Sequence, residues 1–98
     1  MPIANPFHPF DGAGIAKAPE VPGVYQLETT EVVYIGKATA SIRDRLQAHN
    51  RGDEGPCTRN ATWYRCEPHP NPAARERQLL GEYQSSHGSL PRCNDVMP

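Results

Sequence analysis

The clearest pattern of apolar and polar positions lies between Pro22 and Arg51. Val24, Gln26 and Leu27, and then Val32 to Ile35, are β-favouring residues on either side of the polar run Glu28-Thr29-Thr30-Glu31, which predicts a hairpin. With Thr29-Thr30 as a two-residue turn, Tyr25 falls opposite Tyr34, and their Cβ atoms stand roughly 5 Å apart on one face. Neither threonine favours the positive φ of a primed hairpin turn, so a longer loop with a shifted register stays open. After Gly36 the period lengthens to that of a helix. Ile42 and Leu46 form its apolar stripe, Arg45 and His49 lie one turn apart beside it, and Arg43 points elsewhere. Ser41, followed three residues on by Asp44, is its N-cap, and Gly52 is its stop signal.

Arg51 to Asn60 is polar and reads as a loop. Ala61 to Cys66 alternates as a third strand, with Trp63 and Arg65 on one side and Thr62, Tyr64 and Cys66 on the other. Either side can face inward on this pattern, and Trp63 is most simply a core anchor. Pro68 to Pro72 is a rigid connector ending in an Asn71 cap with Pro72 at the first helical position. In the helix that follows, Glu76, Leu79, Leu80 and Tyr83 stand at i, i+3, i+4 and i+7. A carboxylate thus occupies the face that otherwise reads as buried, which is costly unless the charge is paired or binds a metal. Gln84 to Gly88 ends that helix, and Leu90 to Asn94 returns to the sheet. Residues 1–14 lack either periodicity and read as an extended lead-in, either partly docked through Phe7 and Phe10, which is the favoured reading, or disordered, with His8 facing solvent. Residues 95–98 read as a tail, leaving 15–94 as the folded domain.

Composition narrows the picture. A chain of 98 residues makes one small domain with a modest core. No apolar run approaches the length of a membrane span and no segment resembles a signal peptide, so a cytoplasmic location is expected. Three cysteines, an odd number, are expected to be free thiols in a reducing compartment. The net charge of −1 is unfavourable for a protein that grips phosphates, but it is unevenly spread. Positions 37 to 77 hold eight basic residues against five acidic ones, a balance of +3, and the remainder carries −4. A basic face on the middle of the chain is compatible with weak, salt-sensitive binding to DNA, helped by a tethering protein partner.

Five elements in order carry a family resemblance. Gly23-Val24-Tyr25, Tyr34-Ile35-Gly36-Lys37-Ala38, Ile42-Arg43-Asp44-Arg45-Leu46, Glu76-Arg77-Gln78-Leu79-Leu80 and Pro91-Arg92-Cys93-Asn94 together resemble the GIY-YIG endonuclease superfamily, which includes the nuclease domain of the bacterial excision-repair excinuclease subunit. The resemblance runs from about Ile15 to Asn94. It implies an α+β fold of the GIY-YIG type, with a three-stranded antiparallel sheet flanked by helices.

The same resemblance implies hydrolysis of a DNA phosphodiester assisted by a divalent cation, Mg2+ or Mn2+. Glu76 would be the metal ligand, Tyr25 the general base for the attacking water, and Tyr34 a group positioning that water or a phosphate oxygen. Arg45 would neutralise the phosphate through its fork of donors. His49 is a further candidate, since some members place a histidine one turn after the motif arginine. Asn94 would orient a tyrosine, a phosphate oxygen or local backbone, and Lys37 and Arg43 are candidates for phosphate contact. Family members serve in repair, branched-DNA resolution, mobile introns and restriction. Two other readings stand beside this one. The fold can serve as a non-catalytic nucleic-acid-binding or assembly module. Alternatively, Cys57, Cys66, His69 and Cys93 offer zinc-ligand types, although without close Cys-x2-Cys spacing.

Overall fold

The computed structural model describes residues 2–95 and 97. Of the expected lead-in and tail, Met1, Val96 and Pro98 therefore lie outside the described residues.

The hairpin forms from β2 (Gly23–Glu28) and β3 (Val32–Ala38). Its register is not the one a Thr29-Thr30 turn would impose. Tyr25 pairs with Gly36 and Leu27 with Tyr34, with an irregularity between Leu27 and Glu28. The loop is longer, closed by a bond from the Thr29 N–H to the Glu31 carbonyl (2.9 Å). A slip of two residues keeps every side chain on its expected face, because the side-chain period of a strand is also two. The two tyrosines thus stay on one face but sit diagonally. A side chain at Gly36 would collide with both of them: a Cβ there falls 2.7 Å from the Tyr25 hydroxyl and 2.7 Å from the Tyr34 ring. This close approach, rather than backbone freedom, is why glycine stands opposite Tyr25.

The sheet has four strands, not three. β4 (Trp63–Pro68) pairs antiparallel with β2, and β1 (His8–Pro9) adds to its far side, in the order β1-β4-β2-β3. The extra strand comes from the lead-in, where a two-residue pairing is too short to leave a periodic signal in the sequence. A single helical turn, α1 (Gly12–Ile15), follows it, capped by Asp11. Phe10 and Ile3 are buried, so the lead-in is docked. In β4 it is Tyr64 that faces the core and Trp63 that is 38% exposed, in edge contact with Phe7. The expected Trp63 anchor is therefore corrected, because pairing with β2 puts Trp63 opposite the polar Glu28 and Tyr64 opposite the buried Leu27. Nor is His8 simply solvated: its half-buried ring packs against that of Tyr64.

Helix α2 (Ile42–Arg51) begins where Ser41 accepts from the Asp44 N–H and ends at Gly52, whose φ of 90° is the left-handed conformation that favours glycine. The following loop contains a further helical turn, α3 (Pro56–Arg59). Helix α4 (Pro72–His87) starts at the Asn71 cap with Pro72 in its first turn. Residues 90–95 add no strand. They lie along the free edge of β3, where the Cys93 N–H donates to the Val33 carbonyl (2.9 Å).

Two apolar clusters hold the layers together. On one face of the sheet, Tyr25, Leu27, Ala38 and Tyr64 pack with Ile15, Ile42 and Leu46 of the helices. On the other, Val24 and Ile35 pack against Ile3 and against Leu79 and Leu80 of α4. Burying each large side chain contributes about 1.5–3 kcal/mol. Cys57 of α3 and Cys93 form a disulfide with Cα atoms 5.8 Å apart, leaving Cys66 free. This overturns the expectation of free thiols at both positions. It also removes two of the four ligands a zinc site would have used, and no cluster among the described residues could hold a metal through three or more His, Cys, Asp or Glu side chains. No helix among the described residues is long and apolar enough to cross a membrane.

Candidate active site

The two layers meet at the free edge of β3, around a hollow of about 350 Å³ lined by Tyr34, His49, Thr58, Glu76, Leu80 and Asn94, among others. The polar side chains among them each arrive from a different element. Tyr34 comes from β3, His49 from the last turn of α2, Thr58 from α3 and Glu76 from the second turn of α4. Asn94 comes from the closing segment.

Tyr25 lies behind this wall with 0% exposure, and its hydroxyl is 2.8 Å from His49 Nε2. His49 is itself 1% exposed, and its Nδ1 is 2.8 Å from Thr58 Oγ1. The ring of Tyr34 stands 5.0 Å from that of His49 and 6.2 Å from that of Tyr25. Burial pushes the Tyr25 phenol well above its ordinary range. Tyr34 raises it further, while the neighbouring Arg45 guanidinium acts in the opposite direction. Burial and the carboxylate of Glu76 likewise push Tyr34 up. His49 moves down to about 4, first because burial penalises the imidazolium and second because Arg45 is positive. At neutral pH both phenols are therefore protonated and the imidazole is neutral.

Arg45 reaches from α2 toward the tyrosines, as its place beside the apolar stripe predicts, but its guanidinium is ion-paired with Glu54. That pairing raises Arg45 and holds Glu54 below the usual carboxylate range. Glu76 is 8% exposed, with Lys37 Nζ at 3.9 Å from its Oε1. Desolvation pushes its carboxyl up, against the positive charges of Lys37 and Arg77. Lys37 thus serves Glu76 electrostatically rather than the phenols. Arg43 is drawn away from the hollow: it bonds the Ala18 carbonyl (2.8 Å) and pairs with Glu20. Of the open alternatives for Asn94, the structure has it holding backbone. Its amide accepts from the Ile35 N–H and donates to the Ile35 carbonyl, both at 2.9 Å, as an added strand would, and it steadies the segment that carries Tyr34.

One side chain suits a hard divalent cation: the mostly buried carboxylate of Glu76 borders the open hollow, with the Lys37 ammonium 3.9 Å away, and oxygen donors are what such an ion prefers. Three features of the site were not legible in the sequence. Thr58 and Glu54 sit in a stretch with no periodicity, and the only hint of the turn that carries Thr58 is Pro56 after Gly55. The Cys57–Cys93 link was hidden by the odd cysteine count, which leaves the pairing undetermined.

The family described as a domain of unknown function, DUF7508, matches residues 1–86. Among solved structures, the chain is similar to the magnesium-bound GIY-YIG N-terminal endonuclease domain of UvrC from Thermotoga maritima. The two are 24% identical with a TM-score of 0.57, over 83% of this chain and 91% of that one. It is similar also to a tyrosine-to-phenylalanine point mutant of that domain bound to its catalytic divalent cation, at 22% identity and a TM-score of 0.57, over 84% of this chain and 91% of that one. No curated protein matches the chain. The architecture described above is thus the GIY-YIG fold, with β1 as a fourth strand.

Proposed function

The chain belongs to the DUF7508 family and has the GIY-YIG fold, and from that premise we propose that it is a metal-dependent endonuclease that hydrolyses phosphodiester bonds in DNA. The observation that carries this reading is that Tyr34, His49 and Glu76, from three different elements, line one hollow at the β3 edge, with Tyr25 bonded to His49 directly behind it and Arg45 beside Tyr25. Glu76 would hold the cation, Mg2+ or Mn2+. When bound, the cation supplies Lewis-acid stabilisation of the charge that develops on the phosphate.

The protein's own groups do the rest. Tyr25 is closed off in the resting fold, so the reading requires the Arg45 side chain beside it to move onto phosphate and admit the attacking water. Tyr25 then takes a proton from that water while its own proton passes to His49 Nε2, so the buried phenol need not exist as a free phenolate. The oxygen–phosphorus bond forms in line as the bond to the 3′ oxygen breaks. That oxygen leaves with its bonding pair and takes a proton from solvent. Tyr34 orients the water or a phosphate oxygen. Arg45 exchanges its Glu54 partner for phosphate, and Lys37 balances charge beside Glu76. With a net charge of −1, binding to duplex DNA is weak and falls steeply with salt, so a tethering protein partner is expected.

The Arg45–Glu54 pair favours a second reading, a non-catalytic nucleic-acid-binding module, because the arginine is already neutralised. Incubation with plasmid, branched and single-stranded DNA, with and without Mg2+, separates the two. The nuclease reading expects Mg2+-dependent cleavage that falls at least about 10³-fold in Glu76→Gln. It also expects a rise in melting temperature with Mg2+ that the variant lacks. Normal turnover by Glu76→Gln would remove that residue from the mechanism.

A further inference from the structure

The ring of His49 is buried between two hydroxyls, Tyr25 at Nε2 and Thr58 at Nδ1, each at 2.8 Å. Thr58 is 3% exposed, whereas its neighbours Cys57 and Arg59 are exposed, so α3 turns this one side chain inward. A neutral imidazole carries a single proton, and two hydroxyls allow two arrangements. With the proton on Nδ1, that N–H donates to Thr58 and the bare Nε2 accepts the Tyr25 O–H. With the proton on Nε2, the ring donates to Tyr25 and Thr58 donates to Nδ1.

The chemistry of the two hydroxyls favours the first arrangement. A phenol is a far stronger acid than an aliphatic alcohol, so it is the better donor to a bare nitrogen. The alcohol oxygen, with lone pairs not delocalised into a ring, is the better acceptor from an N–H. The first arrangement is also the only one in which Tyr25 can pass its proton on. In the second, Nε2 already holds a proton, and Tyr25 could accept one from water only after losing its own elsewhere.

We propose that Thr58 is a positioning residue whose hydroxyl oxygen accepts the Nδ1 proton of His49 and so keeps Nε2 bare toward Tyr25. The proposal rests on the hydrolytic reading above. In the step it supports, one water O–H bond breaks as a Tyr25 O–H bond forms, and the original Tyr25 O–H bond breaks as Nε2–H forms. The imidazolium keeps its Nδ1–H on Thr58 and, after the product leaves, releases the Nε2 proton to solvent through the hollow that its ring borders. Thr58 touches neither water nor phosphate in this scheme and acts only through His49.

Imidazole 15N NMR of the full chain reads the tautomer directly, whether or not DNA is cut. The expected spectrum has His49 protonated at Nδ1 and bare at Nε2, and protonation at Nε2 overturns the assignment of Thr58 alone. Thr58→Val removes the acceptor at nearly constant shape and should lower kcat about 10²-fold with little change in KM. Thr58→Ser keeps the hydroxyl and should stay within about threefold of the original chain. In a His49→Ala background, Thr58→Val should cost nothing more. Full activity of Thr58→Val, failure of a folded Thr58→Ser, or additive loss in the His49→Ala background would each overturn the proposal. An original chain that cuts none of the DNAs overturns the hydrolytic reading, and the catalytic claim for Thr58 with it. Should Thr58→Val not fold, the spectrum of the original chain and the serine variant still decide.

Discussion

Tyr25 and Tyr64 are both 0% exposed, on neighbouring strands, in the same apolar cluster, yet their hydroxyls end in different company. Tyr64 donates to the Gly14 carbonyl at 2.7 Å, whereas Tyr25 meets the imidazole of His49. A carbonyl can only accept a hydrogen bond, so the first phenol is a fastener between β4 and α1. An imidazole can take the proton outright, so in the proposed mechanism the second is one link of a chain of exchangeable protons. Burial makes both phenols harder to ionise, moving Tyr64 up to about 12 and Tyr25 higher. Burial and a raised pKa therefore do not tell a working tyrosine from a structural one. On the proposed mechanism, the partner's chemistry does.

The sharpest test of this contrast is the pair of phenylalanine variants. Tyr25→Phe should lower DNA cleavage by at least about 10³-fold. Tyr64→Phe should cost about 1 kcal/mol of stability, because the hydrogen bond to Gly14 is lost, and leave cleavage within a few-fold. Cleavage assays with denaturant melts on both variants would break the comparison if the two behaved alike.

Next in size is the disulfide, which lies only on the Tyr25 side. It encloses a sequence separation of 36 residues, and a loop of that length stabilises by about 3–4 kcal/mol. Reduction should therefore lower the melting temperature by roughly 15 °C or more. Hydrogen exchange should rise first around Thr58 and Asn94, while the backbone of β4 at Tyr64 stays protected. Equal loosening of both regions would mean that the link does not hold the hollow in particular.

A smaller effect than that of the disulfide is expected in acid. His49 sits at about 4 in the fold against an ordinary value near 6.5, so the unfolded chain binds the extra proton first. Its contribution is present above pH 6.5 and is lost as pH falls toward 4. After allowance for solvent screening, that is on the order of 2 kcal/mol. The difference in stability between the original chain and His49→Gln, followed from pH 7 to 4, cancels the part due to carboxylates and should shrink by about that amount. Cleavage should decline over the lower part of the same range as Nε2 becomes protonated. A pH-independent difference would show that the ring is not held neutral. The alkaline side does not separate the regions, since both phenols are held up.

How much of this was legible in the sequence depended on how local the cause was. Helices α2 and α4 stand where Ser41, Gly52, Asn71 and Pro72 predict them, because a cap is satisfied within four residues of its own backbone. Glu76 stood out because a carboxylate on an otherwise apolar helix face is anomalous on its own helix. The hairpin's existence was equally plain, but its register depended on a loop that only pairing could settle. Trp63 misled because strand alternation names two faces without saying which is inside. The β1 pairing left no pattern at all, and α3 left only Pro56 after Gly55.

The chain's order of residues alone determined two capped helices and an unusual acid in apolar company, since each follows from short-range stereochemistry, and its motifs carried the resemblance that implied a GIY-YIG-like scaffold. Tertiary structure alone decided that Tyr25 faces Gly36 and His49, that Arg45 is held by Glu54 and Arg43 by Glu20, and that Cys57 joins Cys93. It also decided that Thr58 stands against the imidazole. The reason is physical: hydrogen bonds, ion pairs and a disulfide between residues many positions apart depend on where packing brings the layers together, and no local preference encodes that distance.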